Sequence, residues 1–330
     1  MGPYVLRRVL WMVPTFIGIT LLTFGVMQLA PGDPFALRAD ALTLGAPDAE
    51  SVEALRRAHG YDRPLWEQYA RWVGRVVTLD FGRSLQDGRL VTERISEALP
   101  RTLLLATLAL LLSYAIAVPL GAVAAVKRSS LLDRVITFAL FLLYSLPTFW
   151  VALVLLQLLA GGSGPGWFPL QGLTSPGFDT LGFGGKLLDL AWHLVLPVGV
   201  LTYGSLALIS RHVRSGLLEV VRQDFIRTAR AKGLDERTVV LRHALRNGLL
   251  PLVTLFGLML PHLLGGSVIV EKIFGIPGMG QLAFEAILHR DYPTVMGITT
   301  LVALLTMVSM LATDVAYAAI DPRVRPEAAR

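Results

Sequence analysis

The chain has 330 residues, 54% of them hydrophobic and 16% charged, with a formal net charge of +6 and no cysteine. Soluble domains carry about 25% charged residues, so most of this chain is expected to lie in lipid, and the lack of cysteine excludes disulfides and thiolate metal sites. The positive excess sits in short loops between apolar runs, which argues against nucleic acid as a partner.

A membrane span needs about 20 apolar residues. Six segments reach that length: Val9–Ala30, Thr102–Val126, Val135–Ala160, Ala191–Ser210, Leu249–Val270 and Thr294–Ile320. The sequence therefore predicts an all-α integral membrane protein with six transmembrane helices and both termini on one side. Arg7 and Arg8, then Lys127, Arg128 and Arg134, then the basic stretch Arg211–Asn247, and finally Arg323 and Arg325 all fall on that side. The positive-inside rule makes it the cytoplasm. The first apolar run is longer than a signal-peptide core and has no small-x-small cleavage site before Pro31, so residues 1–30 are read as a cytoplasmic start plus a retained first span.

Residues 31–100 read as an extracytoplasmic helical region. Pro47 opens one helix, with Asp48 and Glu50 early, Arg56 and Arg57 late and Gly60 as its stop. Pro64 opens another, with Leu65, Tyr69, Trp72 and Val76 on one face. Residues 101–320 form a five-helix core, which contains the basic loop 211–247 and an outer segment 271–293, and residues 321–330 form a cytoplasmic tail. Between spans, Ser163–Leu190 is a Gly- and Pro-rich outer loop, while Glu271–Tyr292 turns at Gly275–Gly278. Pro119, Pro147, Pro197 and Pro261 interrupt four of the spans, a feature common to translocation paths and to membrane helices in general.

The basic loop has the strongest internal pattern. It holds nine Lys/Arg against four acids. At roughly 2.5–3.5 kcal/mol for each cation at the bilayer centre, it cannot lie in lipid. Asp224–Lys232 reads as a short helix, Gly233 as its stop, and Asp235 as the cap of a second helix running to Asn247 and Pro251. A basic helix-turn-helix held at a membrane surface is suited to being gripped by another protein.

Other candidate chemistry is thin. Gly185-Lys186 is followed by Leu187 and lacks the upstream glycine of a nucleotide-binding loop. Gly161-Gly162-Ser163-Gly164 matches a serine-protease pattern with His193 as the nearest base, but it lies in a flexible Gly/Pro loop. The six histidines are scattered at no metal-ligand spacing. Asp314 is the one acid well inside a span, and an intramembrane carboxylate is a functional candidate by default. Its place near the cytoplasmic end predicts a structural pairing with an arginine of the basic loop. The alternative, an ion-coupled secondary carrier, needs ion sites beyond Asp314.

Arg227-Thr228-Ala229-Arg230-Ala231-Lys232-Gly233, followed by Arg242-His243-Ala244-Leu245-Arg246-Asn247 and Pro251, resembles the coupling loop of bacterial ABC importer permeases: Glu-Ala-Ala, a Gly four residues on, then Asn and Pro. Arg227 and Thr228 replace the pattern's Glu and first Ala, whereas Ala229 and Gly233 match. The similarity is greatest to the dipeptide/oligopeptide (peptide/nickel) transport family and extends to Leu79-Asp80-Phe81-Gly82-Arg83-Ser84, Leu99-Pro100-Arg101-Thr102, Phe274-Gly275-Ile276-Pro277-Gly278-Met279-Gly280, Arg290-Asp291-Tyr292-Pro293 and Asp321-Pro322-Arg323.

The resemblance implies a type I importer permease fold in the bacterial cytoplasmic (inner) membrane. It implies a non-catalytic subunit without a cofactor of its own. Its partners would be a homologous second permease subunit, one or two ATPase subunits that bind ATP and Mg, and an extracytoplasmic peptide-binding protein. Asp224, Phe225, Ile226, Arg227, Thr228, Ala229, Arg230, Ala231, Lys232 and Gly233, with Asn247 and Pro251, would form the ATPase-coupling loop. Phe274, Gly275, Ile276, Pro277 and Gly278 would meet the binding protein. Di- or oligopeptides are the expected substrates, although glutathione, nickel complexes and oligosaccharides also pass through such permeases.

Overall fold

The computed structural model describes residues 2–30, 32, 35, 49–58, 60–160, 165–249, 252 and 268–320. These are helical apart from turns and two isolated β-bridges. The predicted fifth span, with Pro261, lies almost wholly outside the described residues. Among the described residues, four helices are long and apolar enough to cross a membrane, or five if a bent pair counts as one span. The chain divides into two compact units, one drawn from Met1–Thr102, Leu264–Val268 and Pro277–Arg330, the other from Leu103–Leu263 and Ile269–Ile276.

In the first unit, α1 (Gly2–Leu29) is the first predicted span. Two helices lie in the stretch 31–100: α2 spans Ala49–Ala58, with Gly60 in the left-handed region at φ +73°, and α3 spans Leu65–Val77 behind Pro64, while Pro47 lies outside the described residues. α3 lays Tyr69 and Trp72 on Phe24 of α1, with ring centroids 5.5 and 6.4 Å apart, and the Thr20 and Tyr69 hydroxyls meet at 3.0 Å. Leu65 departs from the predicted face and is exposed. α4 (Val91–Val126) carries the second span, but its helix starts eleven residues before Thr102, so the last residues of the predicted outer region belong to it; its residues up to Thr102 fall in this unit and the rest in the second. The unit is completed by α12 (Met279–Leu288) and α13 (Tyr292–Ile320). Its core gathers Phe24, Trp72, Val76, Phe81, Val91, Met279 and Met296.

In the second unit the predicted third span is not one helix. It is α5 (Leu131–Ser145) and α6 (Thr148–Leu159), bent by 94° at the break. Pro147 has no N–H to donate and forces the preceding residue out of the helical region, and Leu146 accordingly sits at ψ 130°. The fourth span, α7, runs Phe183–Val220 through Pro197. Its 38 residues extend about 57 Å, well beyond the ~30 Å hydrocarbon layer. The first ten residues of the predicted basic loop, Arg211–Val220, are therefore a helical stem, with Val213, Leu217 and Val220 buried along one face. The stem is followed by α8 (Asp224–Ala231), α9 (Glu236–Thr238), a π-helical stretch over Val239–Ala244, and α10 (Leu245–Gly248). α11 (Val268–Ile273) leads into the turn at Gly275–Gly278.

Candidate functional site

The segment after the α7 stem is built from an amphipathic helix and a glycine turn. Ile226 and Ala229 are three residues apart on α8, so they share a face, and both are buried against Leu217, Val220, Val239 and Ala244. Asp224, Phe225, Arg227, Thr228, Arg230, Ala231 and Lys232 are exposed. The short helix opens with Asp224 and closes with Arg230, signs that complement its dipole.

The turn that ends α8 is fully paired. Gly233 adopts φ +79°, its N–H donates to the Arg230 carbonyl at 2.9 Å, and the Leu234 N–H reaches back to the Ala229 carbonyl at 3.4 Å. That pair of bonds is a Schellman motif. A Cβ on Gly233 would meet nothing within 4 Å, so within this chain the glycine is required by its backbone angle and not by crowding. Arg230 then grips Glu236 across the turn with two hydrogen bonds, 3.0 and 2.6 Å, which hold the Glu236 carboxyl below its ordinary value of 4.5. Asp235 caps the next helix as predicted, accepting from the Thr238 N–H at 3.0 Å.

Beyond the cap the structure adds a feature that periodicity does not reveal. The π-helical stretch Val239–Ala244 sits in the middle of the second helix, and such insertions are frequent at functional sites. Asn247 donates to the His243 carbonyl at 2.9 Å, which secures the helix end. Pro251 lies outside the described residues.

The stem and the second helix touch backbone to backbone. A Cβ on Gly216 would lie 2.6 Å from the Gly248 carbonyl oxygen, and one on Gly121 would lie 2.5 Å from that of Ser210. Only residues without side chains allow these crossings.

The Phe274–Gly278 motif is largely buried. Phe274 and Ile276 are 3% and 0% exposed and belong to a core with Leu105, Val200 and Val270, while Gly278 is also buried. Gly275 takes φ +61°, and the Phe274 carbonyl accepts from the Gly172 N–H at 2.8 Å. Pro277 alone of the five predicted contacts is exposed.

Among the described residues of the first unit, the motifs around Ser84 and Asp291 meet in one polar knot. Asp291 is fully buried and accepts from Ser84 at 2.5 Å, the Leu85 N–H at 2.9 Å, Arg94 at 3.1 Å and Thr294 at 2.6 Å. Nearby, Arg101 donates to the Pro277 carbonyl at 3.1 Å and Thr102 accepts from the Met279 N–H at 2.8 Å. Tyr61, whose hydroxyl burial pushes up to about 12, feels the same Asp291 charge.

Asp314 pairs with Arg8 of α1 at 3.1 Å, not with an arginine of the basic loop. α1 and α13 pack side by side, which brings the N-terminal arginine level with the carboxylate. His193 is buried and contacts the Asp189 carbonyl at 2.8 Å through Nδ1, while residues 161–164 of the protease-like pattern lie outside the described residues.

Long apolar helices with a surface-mounted glycine turn define a multi-pass membrane protein. The chain belongs to the binding-protein-dependent transport system inner membrane component family, whose model matches residues 117–326. It is 41% identical over 98% of its length to the oligopeptide transport system permease protein AppB of Bacillus subtilis, covering 99% of that protein. It is 38% identical to the di/tripeptide transport system permease protein DppB of Pseudomonas aeruginosa and 37% identical to the dipeptide transport system permease protein DppB of Escherichia coli, covering 98% of this chain and of each relative.

Proposed function

We propose that this chain is a non-catalytic permease subunit of an ATP-driven ABC importer and forms half of the translocation pathway for di- or oligopeptides. The observation that carries the reading is the α8 turn: a helix with one face buried in its own subunit and the other exposed, closed by a hydrogen-bonded Gly233 and braced by Arg230–Glu236. That construction suits a rigid lever seated in a partner. A homologous permease subunit completes the pathway, one or two ATPase subunits bind ATP and Mg and grip the exposed residues of Asp224–Gly233, and an extracytoplasmic binding protein delivers the peptide. Both termini are cytoplasmic in this reading, with six spans. ATPase closure moves the turn and switches the pathway between inward and outward access as a rigid-body, two-state change.

On the outer side, Pro277 and the exposed surface around it are the proposed contact for the binding protein. Asp314 serves helix packing: its neutralisation by Arg8 argues against the ion-coupled carrier, which needs an intramembrane charge available to a coupling ion. The peptide assignment rests on the names of the relatives. Gentle detergent purification of the tagged chain, with its companions identified by mass spectrometry, tests the reading. Stoichiometric recovery of a second permease and ATPase chains is expected; a lone chain would contradict it.

A further inference from the structure

The α7 stem carries more than the turn. Arg214, one turn before Leu217, grips Asp133 of α5 with two hydrogen bonds, Nε to Oδ1 at 2.9 Å and an Nη to Oδ2 at 2.8 Å. Asp133 is 5% exposed, and it also accepts from the Ser129 N–H at 3.0 Å, which fixes a left-handed turn at φ +64° just ahead of α5. Ser130 caps the same helix through the Asp133 N–H. At the other end of α5, at the 94° break, the Tyr203 hydroxyl of α7 donates to the Leu146 carbonyl at 3.1 Å. Between these ties the two helices flank an apolar cleft of about 360 Å³ lined by Ile136, Leu140, Ala207 and Leu208. Beside the cleft Leu140 packs with Leu206 and Ile209 of α7, and the polar ties at the two ends add a directional lock to that packing.

We propose that Asp133 and Arg214 are positioning residues for coupling: they lock α5 to the α7 stem, so that displacement of the turn at Gly233 reaches the bent α5–α6 pair. The physical route is continuous. Ile226 and Ala229 of α8 pack on Leu217 and Val220 of the stem, Arg214 stands on the same stem, and Asp133 is the third residue of α5. Bidentate guanidinium–carboxylate pairing fixes orientation as well as distance, which packing across a cleft does not. This inference rests on the importer reading.

The test uses the whole complex reconstituted with its ATPases and binding protein. Asp133→Asn and Arg214→Met are expected to assemble and hydrolyse ATP while peptide taken up per ATP falls by roughly fivefold or more, the lower range of ordinary coupling. The exchange Asp133→Arg with Arg214→Asp should recover a substantial part of that ratio. A purely structural ion pair would lower the yield of complex and leave the ratio at its wild-type value, and that result overturns the proposal. Should the single variants fail to assemble, spin labels at Arg128→Cys and Ser215→Cys, clean in a chain without cysteine, report on the intact pair. An unchanged label separation between nucleotide-free and ATP-trapped complex is expected; a shift between those states overturns the lock. Loss of ATP dependence in the wild-type complex would remove the importer reading itself, whereas failure of the lock leaves wild-type, ATP-driven uptake in place.

Discussion

Three single residues show how differently a charge or a glycine can matter here. Gly233 is strained by nothing around it, and a side chain at φ +79° costs about 1–2 kcal/mol, less for Asp, which tolerates that region. Gly233→Asp is therefore expected to leave the subunit inserted at wild-type level while ATP hydrolysis no longer drives uptake, because the carboxylate lands on the exposed side of the turn. Paired uptake and hydrolysis assays on the same vesicles check this, and normal uptake would count against the lever. Asp291 is the opposite case, a fully buried carboxylate whose four partners all come from its own unit. Removing it takes one shared acceptor from four donors, although Arg94 keeps Asp87 at 3.6 Å, and Asp291→Ala should cost about 3–5 kcal/mol, seen as a large fall in the thermal midpoint in detergent. The Arg8–Asp314 pair lies between them, with side chains 52% and 28% exposed. Solvent screening discounts such a pair to about 1 kcal/mol or less where water reaches it. Asp314→Asn should lower assembly slightly and leave the preference among peptides unchanged; a shift in preference in a well-assembled variant would contradict the packing role.

At the scale of elements, much of the helical order was legible because lipid imposes long apolar runs. The caps were legible as well: Pro64, Asp235 and Gly233 each carry a local rule, and the structure places each where that rule directs. Two things were hidden. Where an apolar helix ends cannot be read once the flanking polar residues are themselves good helix formers, so α4 begins before Thr102 and α7 continues past Arg211. Which helices touch is also invisible, because a glycine in a helix looks the same whether it faces lipid or a neighbouring backbone. Gly18 and Gly25 have open space around them, whereas Gly216 abuts the Gly248 carbonyl. Gly216→Val should push α10 off the stem and abolish a folded, detergent-stable subunit, while Gly18→Val on α1 should be tolerated. Gel-filtration profiles of the two variants separate these outcomes, and equal behaviour would show that the crossing is unimportant. The partner of Asp314 was missed for the same reason: proximity in three dimensions favoured Arg8 over the more numerous cations of the basic loop.

For the whole molecule, the family follows from sequence and comparison together, while the geometry shows what its sequence motifs build. Ser84 and Asp291, more than two hundred positions apart, close one polar knot, and Thr102 and Met279 close a second. In the proposed function the exposed side of α8 serves an assembly, so dependence on partners is what to test. Its most direct test is peptide uptake by the purified complex in liposomes, with and without ATP, Mg and binding protein. Uptake is expected to require all three and to be lost in Gly233→Asp. Uptake by this chain alone, without ATP and following an ion gradient, would contradict it.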